Sequence, residues 1–116
     1  MADPSKAVLE AIARNTHPKV PYPVALAMGE RETGFDPTKR GAAGEIGLFQ
    51  LLPKTVREEL RYMGPLEALF DPNLNTRLAT QYLDILFRRF GTWPVAIRAY
   101  NGSGPASRAY AAGVLG

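Results

Sequence analysis

Proline and glycine punctuate this chain so regularly that only the stretch between Pro72 and Gly91 leaves room for a long helix. Proline is tolerated in a first helical turn, where its missing N–H had no partner to lose, and glycine exits a helix through the left-handed conformation. Reading from each start to the next stop predicts helices over 4–14, 23–33, 53–62, 65–70, 71–90, 93–100 and 105–112. Asp3, Asp71 and Thr92 stand where caps belong. Inward faces are expected at Ala7, Val8, Ala11 and Ile12; at Val24, Ala27 and Met28; at Val56 and Leu60; and at Leu74, Leu78, Tyr82, Ile85, Leu86 and Phe90. Pro18, Pro21 and Pro23 forbid a helix between the first two. Glycines at 34, 41, 44 and 47 mark an irregular loop or a short hairpin. No repeat or linker divides the chain, so the expectation is one mainly α domain over 1–116.

With 116 residues, 46% of them hydrophobic, the chain has material for one core. It has no cysteine and a single histidine, His17, which excludes disulfide scaffolds and Cys- or multi-His metal sites. Neither metal nor organic cofactor is expected. A net charge of +3 and a pI near 9.4 favour polyanions in general, from nucleic acid to the acidic bacterial wall. A nucleic-acid partner would rest on that charge alone and is not expected. No apolar run is long enough to span a bilayer, and the first residues lack the basic and apolar regions of a secretory signal. The expectation is a cytoplasmic product carried outward by other means, or a piece of a longer chain.

The remaining catalytic vocabulary is carboxylates, hydroxyls and amides. Most acids have ordinary roles: Asp3 and Asp71 as caps, Glu58, Glu59 and Glu67 on the surface, Asp84 as a partner for Arg88. Glu32 differs. It continues the inward stripe of Val24 and Met28 and falls in the last turn, where the helix dipole disfavours a negative charge. Both effects favour a protonated carboxyl, which suits a proton donor to a leaving oxygen; a pairing with Arg31 or a distant arginine is the ordinary alternative. Two further segments resemble site walls. Gly47-Leu48-Phe49-Gln50-Leu51-Leu52 sets an amide among large apolar residues, and Tyr100-Asn101-Gly102 places a phenol and an amide at a helix end. Core packing is the plainer account of Phe49 and Tyr100.

Glu32-Thr33-Gly34-Phe35-Asp36-Pro37 resembles the glutamate motif of the soluble lytic transglycosylase domains, relatives of goose-type lysozymes. Gly44-Glu45-Ile46-Gly47-Leu48-Phe49-Gln50-Leu51-Leu52-Pro53 is similar to their Gly-Leu-Met-Gln-Leu-Met-Pro segment, and Ala99-Tyr100-Asn101-Gly102-Ser103-Gly104 to Ala-Tyr-Asn-Ala-Gly. Leu69-Phe70-Asp71-Pro72-Asn73-Leu74-Asn75 and Tyr82-Leu83 match the connecting helices, so the resemblance runs from about Val24 to Gly104. It implies a lysozyme-like helical fold with the glycine-rich loop beside an active-site cleft. It also implies cleavage of the β-1,4 bond between N-acetylmuramic acid and N-acetylglucosamine in peptidoglycan, with 1,6-anhydro-muramic ends. Glu32 would be general acid and then base, Thr33 a hydroxyl beside it, Gln50 a substrate contact, Tyr100 an orienting hydroxyl, and Asn101 a sugar contact or turn residue.

The departures are Thr33 for serine, Phe49 for methionine and Gly102-Ser103 for Ala-Gly. Phe49, being larger, is expected to reshape the cleft floor. Glu45 is an extra acid; a carboxylate about 6.5–9.5 Å from Glu32 would permit hydrolysis with water, as in a goose-type lysozyme. A wall-binding or structural phage module without turnover is the other alternative. Trp93 reads as a core plug or a sugar-stacking platform, and Tyr22 as a further cleft residue. The partner expected is peptidoglycan, the state monomeric, and the origin a bacteriophage endolysin or virion enzyme delivered through a holin or during injection.

Overall fold

In the computed structural model, residues 4–100 are described. Their elements are α1 (Lys6–Asn15), α2 (Tyr22–Thr33), α3 (Pro53–Glu58), a 3-10 turn (Leu66–Phe70), α4 (Pro72–Phe90) and α5 (Trp93–Tyr100). The helix expected over 105–112 lies outside the described residues, as do Asp3 and Asn101.

α4 is the central post against which α1, the 3-10 turn and α5 pack. Asp71 caps it by accepting the Asn73 N–H at 3.0 Å, Pro72 occupies its first turn, and Gly91 ends it with φ 83°. Surrounded on several sides, it buries Asn75, Thr76, Leu78, Ala79, Thr80, Leu83, Asp84 and Leu86. That face is wider than the expected stripe and displaced from it: Leu74, Tyr82 and Ile85 are only half-buried, and Phe90 is exposed. Leu83 has no exposed surface, so Leu83→Ala would cost about 2–5 kcal/mol.

α1 begins at Lys6 instead of position 4, because the Ser5 hydroxyl, accepting from the Ala7 N–H at 3.2 Å, is the cap. Val8, Ala11 and Ile12 face the core while Ala7 is exposed. Its end is tied to α4: Asn15 Nδ2 donates to Asn73 Oδ1 at 2.7 Å and the His17 N–H to Thr80 Oγ1 at 2.9 Å. α5 starts as expected from Thr92, whose hydroxyl accepts the Val95 N–H at 3.4 Å.

α2 buries Val24, Ala25, Met28 and Gly29, and Gly34, with φ 62°, closes it by donating to Glu30. α3 stops at Glu58, short of the expected 62. Arg57 explains the early end: its guanidinium donates to the carbonyls of Tyr62 and Gly64 at 2.8 and 2.7 Å, folding the chain back through Arg61 at φ 57°.

Between α2 and α3 no strand forms among the described residues, only isolated antiparallel pairings of Ile46 with Arg40 and with Leu51. Positive φ at Gly47 (79°) and Gln50 (53°) curls the chain before a ladder can extend. Phe49 lies at the bottom of this loop with its ring fully buried, so it fills the core and does not floor a cleft.

Candidate active site

Glu32 occupies the last turn of α2 and is half-buried. Its own carbonyl accepts the Lys39 ammonium at 3.2 Å, a cation at the negative end of the helix dipole. The next residue joins helix to loop. Thr33 Oγ1 lies 2.9 Å from the Leu48 carbonyl and 3.2 Å from that of Gly29, which share its one proton, and it accepts the Asp36 N–H at 3.0 Å.

Beyond the isolated pairings of Ile46, the side chain of Asn75 from α4 supplies the loop with further partners. Its Oδ1 accepts the Phe49 N–H at 2.8 Å, and its Nδ2 donates to the carbonyls of Ile46 and Leu69 at 3.0 and 2.8 Å. Gly47 permits this approach: a Cβ there would sit 2.6 Å from Asn75 Nδ2 and 2.7 Å from the Leu69 carbonyl.

At the end of α5 the Tyr100 hydroxyl donates to the Phe49 carbonyl at 2.7 Å. Its ring lies 5.6 Å from that of Tyr82, and Gln50, Leu51, Leu52 and Thr55 complete a hollow of about 20 Å³ beside them. That is room for one water. Burial raises the Tyr82 phenol above its ordinary pKa, Glu59 adds to the rise, and Arg89 opposes it.

Gln50 Nε2 donates to the Gly47 and Lys39 carbonyls at 2.9 and 3.1 Å. Glu45 Oε1 accepts the Ala43 N–H at 2.8 Å, closing a turn, and any side chain at Gly41 would collide with both Glu45 and Gln50. The loop thus folds back so that the two meet over Gly41. Consecutive carbonyls, Leu48 and Phe49, consequently join the end of α2 to the end of α5, with Gln50 next in line.

Not every expected residue gathers here. Tyr22 lines an open depression of about 590 Å³ with Ala13, Thr16, His17, Pro18, Val20 and Pro21, a set containing none of the site residues. Trp93 stacks on Phe87 with ring centres 4.3 Å apart, as a plug. Asn75 is the residue missed as a site member: a polar side chain on a helix reads as solvent-facing, although it is in i, i+4 register with Ala79 and Leu83.

Residues 10–113 match the family described as transglycosylase SLT domain. Over 93 residues, 75% of this chain, the sequence is 27% identical to a soluble lytic murein transglycosylase of Escherichia coli K12, and over 87 residues 28% identical to one of Salmonella typhimurium. The matched regions span only 14% and 13% of those longer proteins. Two solved structures share the fold at 24% identity. The 70-kDa soluble lytic transglycosylase in complex with bulgecin A superposes with a TM-score of 0.72 over 91% of this chain and 18% of its own. The 70-kDa enzyme of Escherichia coli gives 0.70 over 92% and 18%. A mainly helical core, the Thr33–loop–Tyr100 seam and a match over nearly the whole length agree: this chain belongs to the transglycosylase SLT domain family.

Proposed function

We propose that this chain is a peptidoglycan lytic transglycosylase, cleaving the β-1,4 bond between N-acetylmuramic acid and N-acetylglucosamine with Glu32 as the acid and then the base. The observation that carries this reading is the place of Glu32: within a family match over 10–113, it sits half-buried one residue before the hydroxyl that grips the 46–50 loop.

Glu32 gives its proton to the glycosidic oxygen as the C1–O bond breaks, and N-acetylglucosamine leaves with the new hydroxyl. The C6 hydroxyl of the muramic residue closes onto C1, and its proton returns to the Glu32 carboxylate. No water is consumed, so one carboxylate serves both halves, whereas ordinary glycosidases divide the work between two. Thr33 and Tyr100 hold the 46–50 loop in register, Gln50 is assigned to the sugar strand, and Asn101, outside the described residues, is assigned to it on the family motif alone. The Glu45 contact with Ala43 gives that acid a turn-closing task, which favours the anhydro product over hydrolysis. The enzyme is proposed to act on the bacterial wall as a monomer.

Digestion of purified murein followed by mass spectrometry of the soluble fragments tests this reading. Expected are fragments ending in 1,6-anhydro-muramic acid, lighter by one water than reducing-end products. Reducing ends alone would replace it with a hydrolase, and unchanged murein with a binding module.

A further inference from the structure

We propose that Asn75 is a positioning residue for this reaction: its buried amide fixes the peptide plane between Leu48 and Phe49, and through it the hydroxyls of Thr33 and Tyr100. The inference rests on the transglycosylase reading above for its activity arm and on hydrogen bonds alone for its structural arm.

Asn75 has no exposed surface. Both protons of its amide are used, toward the carbonyls of Ile46 and Leu69, and its oxygen takes the Phe49 N–H. A trans peptide unit sets its N–H and C=O on opposite edges of one plane. The unit joining residues 48 and 49 has its N–H edge on Asn75 Oδ1 at 2.8 Å and its C=O edge on Thr33 Oγ1 at 2.9 Å. Asn75 and Thr33 therefore hold one rigid plane from opposite sides. The next carbonyl along, that of Phe49, accepts from Tyr100 at 2.7 Å. Ile46 is fixed as well, because its carbonyl also takes the Leu51 N–H at 3.1 Å while the Ile46 N–H donates to Leu51 at 2.9 Å. Removing the Asn75 amide frees the inner edge of the plane, and the Thr33 and Tyr100 hydroxyls then lose the fixed acceptors that orient them.

The isosteric variant Asn75→Asp keeps an acceptor for Phe49 and loses both donors. Asn75→Ser leaves a polar hollow that water can fill, and is the second variant should the first not fold. For each, melting temperature, kcat and KM on soluble glycan strands, and amide hydrogen exchange at Ile46, Phe49 and Leu51 are measured. A positioning role predicts a loss in kcat of about 10- to 100-fold with KM changed much less, at a temperature where the variant is fully folded. It also predicts faster exchange at the three amides, and a double variant with Thr33→Val scarcely slower than the Asn75 variant alone, because both grip one plane. An unchanged kcat with a lowered melting temperature, or losses that multiply independently, would overturn it. If the wild-type chain leaves murein uncut, the transglycosylase reading falls, and the exchange arm decides alone whether Asn75 fixes the loop. If neither variant folds, rapid exchange of the Phe49 amide in the wild type overturns it, and strong protection supports it.

Discussion

The Tyr100 hydroxyl donates to the carbonyl of Phe49 at 2.7 Å across 51 positions of sequence, pinning the end of α5 to the glycine-rich loop. Tyr100→Phe keeps the ring packed near Tyr82 and removes that bond. The expected outcome is a loss of about 1 kcal/mol in stability together with a kcat lowered about tenfold. Thermal melts and murein turnover on the same samples check it; a lower melting temperature with unchanged kcat would assign Tyr100 to packing.

Glu32→Gln keeps the size of the side chain and cannot deliver the same proton. It is expected to fold, to bind glycan strands and to lose about 10²- to 10⁴-fold in murein cleavage. Retained cleavage in this variant removes Glu32 from the chemistry.

Thr33 carries its role on the hydroxyl that meets the Leu48 carbonyl. Thr33→Ser is accordingly expected to keep wild-type turnover. Thr33→Val, of the same shape, should lose about 1 kcal/mol in stability and turnover with it. Equal rates in the two variants would contradict the assignment.

Two loop glycines separate strain from collision. Gly44, at φ 90°, has nothing within 4 Å of the point where an alanine methyl would stand, so Gly44→Ala should cost only backbone strain, about 1 kcal/mol. Gly47, at φ 79°, adds the Asn75 amide and the Leu69 carbonyl to that strain, and Gly47→Ala should cost about 3 kcal/mol or more. Denaturant midpoints of both variants give the comparison; equal losses would mean that Gly47 is not crowded.

Asp36 supplies a pH test. The Thr38 hydroxyl at 2.7 Å, then the Thr38 N–H at 2.9 Å, hold its carboxyl below the ordinary 3.8, against slight desolvation and with minor help from Lys39. A folded value below the unfolded one adds stability above the unfolded value, and that stability disappears as pH falls through the folded one. Asp36→Ala should therefore melt slightly below the wild type at neutral pH and converge with it in acid, as pH falls through the lowered folded value. A gap that widens in acid would reverse the sign.

Much of this was legible in the residues. Pro72 and Gly91 bound α4, Gly34 ends α2 and so places Glu32 in its last turn, and the motifs around Thr33, Gln50 and Tyr100 lie on segments that meet. What escaped was set by contacts remote in sequence. Asn75 is interior because a loop some twenty-five residues earlier needs its amide, as the 26-residue separation from Phe49 records. α3 ends early because Arg57 serves carbonyls beyond it, and Phe49 turns inward because the loop curls at Gly47 and Gln50.

The oxygens that Thr33 and Tyr100 grasp belong to the main chain, which no substitution can delete. Positions 48 and 49 are thereby released from any duty beyond filling volume, so the side chains there are free to drift among bulky apolar types. A phenylalanine in place of the family's methionine leaves both anchoring points intact, and variation at this spot is better understood as a change of upholstery than of machinery.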